Sequence, residues 1–307
     1  MSNRTKALLA IVAASMLWAT AGSAKILVRT FDPFTAAFFR FLVATLIIVP
    51  FFLRAQRGKK TSLLPLVPLG LASTGNIAFY YLALRTTTAN AAMMIYNATP
   101  LVIALTASRM IGEPVTTMKF VGILLGLVGT TLIALLPALE GGGSSLSGDL
   151  TGNLFVVGAV ASWTIYTIGS RRMLTTKRAT PLDLTTASIV TSSSIFGLLA
   201  AISWKPTYTT AMVAPTNIAL MIHLGIFVTV ATYLLYQWAI KHSSATTASL
   251  NQYLQPVIAL LFNISFLGER LTTGFALGSI VVLAGVVLAT GGPLIREIKR
   301  WKMLREA

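Results

Sequence analysis

Long apolar stretches separated by short polar segments run through the whole of this 307-residue chain. Ten of these stretches reach the length of about 20 mostly apolar residues that a bilayer-crossing helix needs, so the pattern predicts ten transmembrane helices. In the second stretch the apolar run is interrupted by Arg40. The ten stretches cover residues 7–28, 33–53, 63–84, 88–110, 116–138, 150–170, 182–204, 215–239, 245–267 and 271–294.

The amino-acid composition indicates that lipid, not water, surrounds these helices. The chain is 55% hydrophobic and 10% charged, whereas soluble domains carry about 25% charged residues. One soluble core could not bury so much apolar surface, so we expect an all-α integral membrane protein. The net charge of +16 lies in clusters between apolar runs, which suits loops beside anionic lipid rather than a nucleic-acid partner.

Lysine and arginine are unevenly distributed between the two sides that a ten-span threading defines. With the N-terminus inside, 18 of the 24 lie in cytoplasmic segments, as the positive-inside rule requires. The pattern therefore predicts that both chain ends face the cytoplasm. The glycine-rich segment 140–149 then lies outside, as a flexible linker.

A repeat with a constant offset of 156 residues relates the middle of the chain to its end. Residues 83–134 align with residues 239–290 without a gap, and thirteen of the 52 positions are identical. Pro100 pairs with Pro256 in this alignment. Five spans separate the copies, and because five is odd the second copy enters the membrane in the opposite direction.

The sequence therefore predicts two inverted five-helix repeats, at 1–139 and 150–295, followed by a basic cytoplasmic tail at 296–307. Inverted repeats are typical of secondary transporters, in which the solute binds near the membrane midplane where the repeats meet. Exchange of conformation between the two repeats would open the site to one side and then to the other.

The stretch "YLALRTTTANAAMMIYNATPLVIALTASRMIGEPVTTMKFVGILLGLVGTTLIA" and its second copy carry a specific resemblance. Their Thr/Ser-Ala turn, mid-helix Pro, Gly-Glu pair and glycine-spaced helix resemble the EamA-type domains of the drug/metabolite transporter superfamily. That resemblance implies ten helices in a prokaryotic cytoplasmic (inner) membrane. It also implies export or exchange of small metabolites, often amino acids, without selecting one of them.

Polar residues inside the predicted spans are the first candidates for the solute site, because they cost free energy in lipid unless they face partners or water. Asn97 and Thr99 precede Pro100 in span four, and Asn251 and Gln255 lie in span nine. Each proline frees backbone carbonyls in the preceding turn, so Pro100 and Pro256 are also candidates for kinks or gates. The alternative is hydrogen bonding between helices with no role in binding.

Aromatic residues and Arg40 form the second set of candidates. Trp18 and Trp163 lie near the middle of spans one and six, away from the membrane interfaces that tryptophan favours. With Tyr81 and Tyr166 they would line a cavity or simply pack. Arg40 would either reach out to the lipid headgroups or face the cavity and hold a carboxylate.

Every carboxylate of the chain lies at or beyond a predicted span end. Glu113 and Glu269 each follow a glycine just before a helix, where a carboxylate stabilises the helix N-terminus, so we predict helix caps. With no carboxylate at mid-membrane to relay protons, we expect a facilitator or an exchanger. Glycines in spans five and ten predict close helix packing, either within one chain or between two, so the protein would be a monomer or a homodimer.

Enzyme classes that work inside membranes need residues that this chain lacks. It has no cysteine, no His-Glu-x-x-His sequence and no pair of membrane aspartates, and no nucleotide-binding loop. We therefore predict no catalytic residue, no metal and no cofactor. The favoured function is export or exchange of an amino acid, and the alternative is efflux of a cationic or drug-like solute; an inward-facing Arg40 favours the first.

Overall fold

The computed structural model describes residues 2–56, 62–87, 89–140, 149–267 and 276–290. Within these ranges the regular secondary structure is helical, without a β-strand. The all-α class that the apolar stretches predict is therefore confirmed. Six helices are long and apolar enough to cross a membrane, at Pro33–Ala55, Leu64–Ala83, Ala91–Ile111, Leu150–Thr175, Pro181–Ile202 and Pro215–His242. The count of ten spans stays a prediction.

The described helices up to residue 140 are α1 (Asn3–Ala19), α2 (Ala24–Leu27), α3 (Pro33–Ala55), α4 (Val67–Thr86), α5 (Ala89–Tyr96), α6 (Thr99–Ile111) and α7 (Thr117–Glu140), with 3₁₀ turns at Thr20–Ser23 and Leu64–Leu66. Those from residue 150 are α8 (Leu150–Thr175), α9 (Pro181–Ile202), α10 (Thr207–Ala211), α11 (Pro215–Gly225), α12 (Thr232–His242), α13 (Ala245–Ser249), α14 (Asn251–Leu267) and α15 (Ala276–Thr290), and a π-helical turn at Ile226–Ala231 joins α11 to α12.

Local sequence explains where several of these helices begin. The side chain of Asp32 accepts hydrogen bonds from the backbone N–H groups of Phe34 and Thr35 at the start of α3. Thr180 and Asp183 form a reciprocal capping box at the start of α9. Both helices carry proline in the first turn, where its missing N–H has no intrahelical acceptor to lose.

The fourth and ninth apolar stretches, which are mates in the sequence repeat, are both broken helices. The fourth is interrupted between α5 and α6 at Asn97 and Ala98, and the ninth between α13 and α14 at Leu250. Pro100 follows the first break in the opening turn of α6, and Pro256 lies inside α14. Broken helices leave backbone groups unsatisfied, and membrane proteins tolerate them where they line a cavity.

Helices from before and after residue 141 pack against each other. Helix α4 lies along α8 and α9, α3 lies along α9, and α1 lies between α12 and α14. Large apolar side chains such as Leu46, Ile165 and Val287 remain exposed on the outer faces, as expected where lipid is the solvent. The seams between the two predicted repeats are therefore inside the bundle.

The glycines of α7 and α15 allow close contact within one chain. A Cβ on Gly122 would lie 2.5 Å from the carbonyl oxygen of Gly285, and one on Gly129 would lie 2.7 Å from that of Gly278. These distances are too short for any side chain. The structure thus assigns this glycine packing to the contact between α7 and α15.

Candidate functional site

A cavity of about 690 Å³ lies between the helices of the two predicted repeats. This volume falls in the range of roughly 300–1,000 Å³ that small-molecule sites occupy. Its wall is formed by α1 to α5 on one side and by α8, α12 and α14 on the other. Both broken helices therefore contribute to the wall.

The cavity reaches the surface at one end of the bundle. Val28 and Arg85, which line this end, are exposed, whereas Asn97, Trp163 and Tyr233 at the inner end are buried. The open end lies at the connections between α2 and α3 and between α4 and α5. The opposite end of the bundle is closed by contacts that are described below.

Arg40 projects into the cavity wall and is held there by the π-helical turn. Its Nε donates a hydrogen bond to Thr229 Oγ1 at 2.6 Å, and its Nη2 donates to the carbonyl oxygen of Val228 at 3.1 Å. No carboxylate among the described residues forms an ion pair with it. Arg40 therefore faces the cavity and keeps its charge unpaired there.

Aromatic rings form the inner wall. Trp18 and Trp163 meet edge to face with 6.0 Å between their ring centroids, and Trp18 also contacts Tyr233 and Tyr236 at 6.2 and 5.4 Å. Trp163 stands against Tyr166 at 5.2 Å. Such pairs hold each other rigidly by packing and by ring electrostatics, so this wall is preformed.

Two buried donors at the inner end make no hydrogen bond of normal geometry among the described residues. They are Asn97 Nδ2 and Trp163 Nε1, both on residues that line the cavity. Asn76, also in the lining, donates to Tyr96 Oη and to the carbonyl oxygen of Ala159 at 2.9 Å each. An unsatisfied buried donor costs about 1–3 kcal/mol, and in this conformation neither donor atom is itself exposed to the cavity.

The charge of the described lining is positive. Arg40 and Arg85 are its two ionised residues, and Asp and Glu do not occur among the lining residues that the structure describes. Arg85 lies over the ring of Phe34, with 5.7 Å from its Cζ to the ring centroid. In the described part of the chain, His, Asp and Glu form no cluster that could hold a metal ion. The cavity is thus suited to a solute with a negative group.

Glu113 closes the opposite end of the bundle. Its Oε2 accepts a hydrogen bond from Ala245 N at 3.0 Å, and its Oε1 accepts one from Thr246 N at 3.1 Å. Lys119 Nζ lies 3.6 Å from Glu113 Oε1 and donates to Ser244 Oγ at 3.0 Å. The carboxylate therefore caps α13, which belongs to the other predicted repeat.

The surroundings of Glu113 keep it ionised. Burial by itself raises the pKa of this carboxyl, but the hydrogen bond with Ser244, the charge of Lys119 and the hydrogen bonds with Thr246 together outweigh it. The pKa of Glu113 consequently lies below its ordinary value of 4.5. Nearby, Arg171 Nη1 on α8 donates to the carbonyl oxygens of Ile240 and Lys241 at 2.6 and 3.1 Å.

Comparison with known proteins gives this arrangement a family. The family model described as "EamA-like transporter family" matches residues 5–135 and again residues 150–291. The chain belongs to the EamA-like transporter family. Family membership indicates a multi-pass membrane transporter of a small solute rather than an enzyme, and it confirms the resemblance carried by the repeated Pro and Gly-Glu pattern.

Relatives of this EamA-like transporter cover nearly its whole length. An uncharacterized transporter of Archaeoglobus fulgidus is 26% identical over 298 residues, which are 94% of this chain and 98% of that protein. The threonine/homoserine exporter RhtA of Salmonella typhimurium is 28% identical over 273 residues, 87% of this chain and 83% of the exporter. A solved crystal structure is 21% identical in sequence to this chain and matches it with a TM-score of 0.77. The match covers 94% of this chain and 98% of that one, and it concerns the fold alone.

Most of the residues that the sequence suggests for solute binding come together in the cavity of this EamA-like transporter. Those in the lining are Trp18, Arg40, Tyr81, Asn97, Trp163 and Gln255, together with Pro256. They come from five helices and from the break between α5 and α6, so that residues up to 238 positions apart in sequence meet at one wall. Their role in binding stays a prediction.

Three suggested residues lie outside this lining. Thr99 is buried and donates through Oγ1 to the carbonyl oxygen of Tyr96. Tyr166 stands behind Trp163, and its hydroxyl accepts a hydrogen bond from Gln237 Nε2 at 2.6 Å. Asn251 is buried against α1, where its carbonyl oxygen accepts from Ser15 Oγ at 3.4 Å. In this conformation they support the wall rather than face a solute.

The two candidate caps have different outcomes. Glu113 caps a helix, but not α7, which follows it in the chain; Thr116 Oγ1 instead accepts from Lys119 N at the start of α7. Because three non-helical residues separate Glu113 from Thr117, its side chain is free to reach α13. Glu269 lies outside the described residues.

The structure also adds residues to the wall that sequence reasoning passed over. Asn76 and Arg85 on α4 and Met93 on α5 line the cavity. Asn76 is a polar residue inside an apolar span, which is the signal that pointed to Asn97, and the same criterion would have found it. Arg85 lies at a predicted span end, and nothing in the sequence distinguishes it from an ordinary loop arginine.

Proposed function

We propose that this EamA-like transporter exports or exchanges a small amino acid. The observation that carries the proposal is Arg40, which lines the cavity, is anchored on its Nε side and has no described carboxylate partner. An arginine held in this way is suited to bind a carboxylate through two parallel hydrogen bonds. Asn97 and Trp163, whose residues also line the cavity, place further polar side chains beside the same solute.

The architecture we propose is that of two inverted five-helix repeats in the cytoplasmic membrane of a prokaryote, with both chain ends in the cytoplasm. The 156-residue sequence offset supports it, and so do the two separate family matches at 5–135 and 150–291. The open end of the cavity then faces outward. The end that Glu113 closes faces the cytoplasm.

Transport in this scheme is alternating access at the seam between the repeats. The cavity is open at one end, so loading from the cytoplasm requires the contact of Glu113 with Ala245 and Thr246 to separate. The buried rings of Trp163, Tyr233 and Tyr236, which pack against one another at the inner end of the cavity, would also have to move. Closure of the open end completes the cycle.

Efflux of a cationic or drug-like solute remains the alternative. The aromatic wall of Trp18 and Trp163 would attract a cation. However, two arginines in the lining and the lack of a described lining carboxylate disfavour a positive solute. The threonine/homoserine exporter among the relatives also supports an amino acid.

The experiment is counterflow of radiolabelled L-threonine in proteoliposomes that contain the purified protein. We expect threonine and other small amino acids to compete, and amines without a carboxylate to compete poorly. Arg40→Gln should raise the half-saturating threonine concentration at least tenfold, since a charge-assisted hydrogen bond contributes about 1.5–3 kcal/mol. Arg172→Gln, which changes an exposed arginine of α8, is the control and should behave like the parent.

Two results would overturn this assignment. One is counterflow of organic cations with no competition from any amino acid. The other is an unchanged half-saturating concentration in Arg40→Gln for an amino acid that the parent transports. Either result would transfer the function to the cationic class or remove Arg40 from the site.

A further inference from the structure

A π-helical turn interrupts the helix that faces Arg40. It spans Ile226–Ala231, between α11 and α12. Such turns are rare, and they occur frequently at functional sites because the extra residue redirects side chains and carbonyl groups. Here the turn presents Thr229 and Val228, the two residues that hold the guanidinium.

The hydrogen of the Thr229 hydroxyl is committed elsewhere. Thr229 Oγ1 donates to the carbonyl oxygen of Leu224, five residues earlier, at 2.8 Å. A hydroxyl has one hydrogen to donate and two lone pairs. Toward Arg40 Nε, 2.6 Å away, the Thr229 oxygen can therefore act only as an acceptor.

The anchored side of the guanidinium leaves a defined edge free. The planar group carries five N–H donors, and the protein uses the edge formed by Nε and Nη2. Within the described residues, Nη1 of Arg40 makes no hydrogen bond. The remaining edge, with Nη1 and the second hydrogen of Nη2, has the spacing that a carboxylate matches bidentately.

Close approach of the two helices fixes this geometry. Gly225 precedes the π-helical turn, and a Cβ there would lie 2.6 Å from Val43 Cγ1 and 3.1 Å from the carbonyl oxygen of Arg40. A side chain at residue 225 would push the turn away from α3. The glycine thus lets Thr229 and Val228 reach the guanidinium.

We propose that Thr229 is a positioning residue, which turns the free Nη1–Nη2 edge of Arg40 toward the solute and so makes the site select a carboxylate over an uncharged amide. The proposal rests on the proposed function, in which Arg40 binds the carboxylate. Without the hydroxyl the guanidinium loses its Nε acceptor and samples other rotamers. The gain from bidentate pairing then falls, while contacts to the rest of the solute remain.

The test measures binding of radiolabelled L-threonine to the purified full chain, with unlabelled L-threonine and L-threoninamide as competitors. The ratio of their inhibition constants reports selectivity for the carboxylate. We expect Thr229→Val to weaken threonine binding about tenfold, the value of roughly one charge-assisted hydrogen bond, and to leave threoninamide binding unchanged. Thr229→Ser, which keeps the hydroxyl, should restore the parent ratio.

Thr232→Val is the matched control. Thr232 is equally buried and follows the same turn. Its hydroxyl donates to the carbonyl oxygens of Val228 and Thr229, so it shares the Val228 acceptor with Arg40 Nη2 but does not contact the guanidinium itself. It should keep the parent ratio. Should Thr229→Val fail to fold, as judged by its thermal unfolding midpoint, Thr229→Ala carries the same comparison with Thr229→Ser.

The outcomes separate this inference from the proposed function. If the parent protein binds threonine and threoninamide equally, Arg40 does not bind a carboxylate and both ideas fail. If Arg40→Gln abolishes the selectivity but Thr229→Val retains it, the proposed function stands and Thr229 has no positioning role. If Thr229 acts through Arg40, adding Thr229→Val to Arg40→Gln changes neither inhibition constant further, and an additional tenfold loss would contradict the inference.

Discussion

The contact of Glu113 with α13 offers the most direct test of how the bundle opens. Glu113→Gln keeps the size and one acceptor oxygen of this side chain but removes its charge. In the parent, the carboxylate accepts from Ala245 N and Thr246 N and lies 3.6 Å from Lys119 Nζ. The amide of the variant can accept only one of the two backbone hydrogen bonds.

The magnitude follows from these contacts. A hydrogen bond to a charged group contributes about 1.5–3 kcal/mol, and one to a neutral group about 0.5–1.5 kcal/mol. In the closed state, the loss of one backbone hydrogen bond to residue 113 and the neutralisation of the other would together cost more than one such bond. Part of this cost is offset because water satisfies the same backbone groups when this end opens. We therefore expect about 2 kcal/mol less stabilisation of the closed end, which shifts the ratio of closed to open molecules about 30-fold.

Cysteine accessibility measures this shift, because the chain contains no cysteine of its own. Ser249 on α13 is buried near the closed end, and Ser249→Cys supplies a single thiol there. In detergent solution, a maleimide should label this thiol up to about 30 times faster when Glu113→Gln is added, and the full factor appears when the parent is almost entirely closed. Asp149→Asn is the control, since among the described residues the Asp149 side chain accepts its hydrogen bond from Gly152 N, at the start of its own helix. Equal labelling rates with and without Glu113→Gln would refute the reasoning.

The pH dependence of the ratio of closed to open molecules has a definite sign. The pKa of Glu113 lies below 4.5 in the closed state and returns toward its ordinary value when the contact separates. The stabilisation by the carboxylate is therefore present at neutral pH and is lost only as pH falls through the lowered pKa. Between pH 5.5 and 8 the ratio of the two labelling rates should be constant, and a change centred near neutral pH would point to another group.

Two further predictions concern packing and the inner wall. Gly122→Ala should lower the thermal unfolding midpoint in detergent, because its Cβ would lie 2.5 Å from the carbonyl oxygen of Gly285, and an overpacked core costs roughly 1–3 kcal/mol of stability. Gly158→Ala is the control and should be tolerated, because its Cβ would meet only the ring of Phe79, at 3.3 Å. An equal loss in both variants would contradict the backbone clash. Asn97→Ala should weaken threonine binding severalfold because Asn97 lines the cavity, and Asn251→Ala should weaken it less because Asn251 lies beneath α1. A larger loss of threonine affinity in Asn251→Ala than in Asn97→Ala would mean that the solute occupies a different place.

Arg40 shows where the sequence ceases to be informative. Its position seven residues after Pro33 sets its depth, at about 1.5 Å per residue along the helix, but leaves open which side of α3 it occupies. The residues that decide this are Val228 and Thr229, which lie 188 and 189 positions away. Hydropathy predicts that α3 and the later helix both exist, and it carries no information about which of their faces meet.

The polar residues of span nine show the same limit in another form. Asn251 and Gln255 are four residues apart on α14 and share one helical face, as the spacing predicts. Only Gln255 lines the cavity, because α1 covers the turn that carries Asn251. Thr247, four residues before Asn251, would continue this row in an unbroken helix, but the break at Leu250 places it in α13, where it bonds Ser244. Periodicity predicted the face, and tertiary packing decided how much of it is exposed to solute.

The second broken helix connects the closed end to the cavity. Helix α13 begins at Ala245, which Glu113 caps, and after the break at Leu250 the chain continues into α14, which carries Gln252 and Gln255 in the cavity wall. In the conformation described here, which we call the open-cavity conformation, the cavity is open at one end and the Glu113 end is closed. A solute that binds Gln252 and Gln255 in this conformation stabilises it, and so does the cap by Glu113. Because such coupling is reciprocal, weakening the cap must also weaken apparent binding.

Glu113→Gln should therefore lower the apparent affinity for threonine in proportion to the lost population of the open-cavity conformation. If the parent occupies this conformation almost entirely, a 30-fold shift still leaves most molecules competent, and the apparent affinity changes little. If the parent divides evenly between the two conformations, the competent fraction falls from one half to about one thirtieth, so the apparent affinity falls about 15-fold. The ratio of the labelling effect to the binding effect thus gives the resting population of the conformation described here, without any variant in the cavity itself.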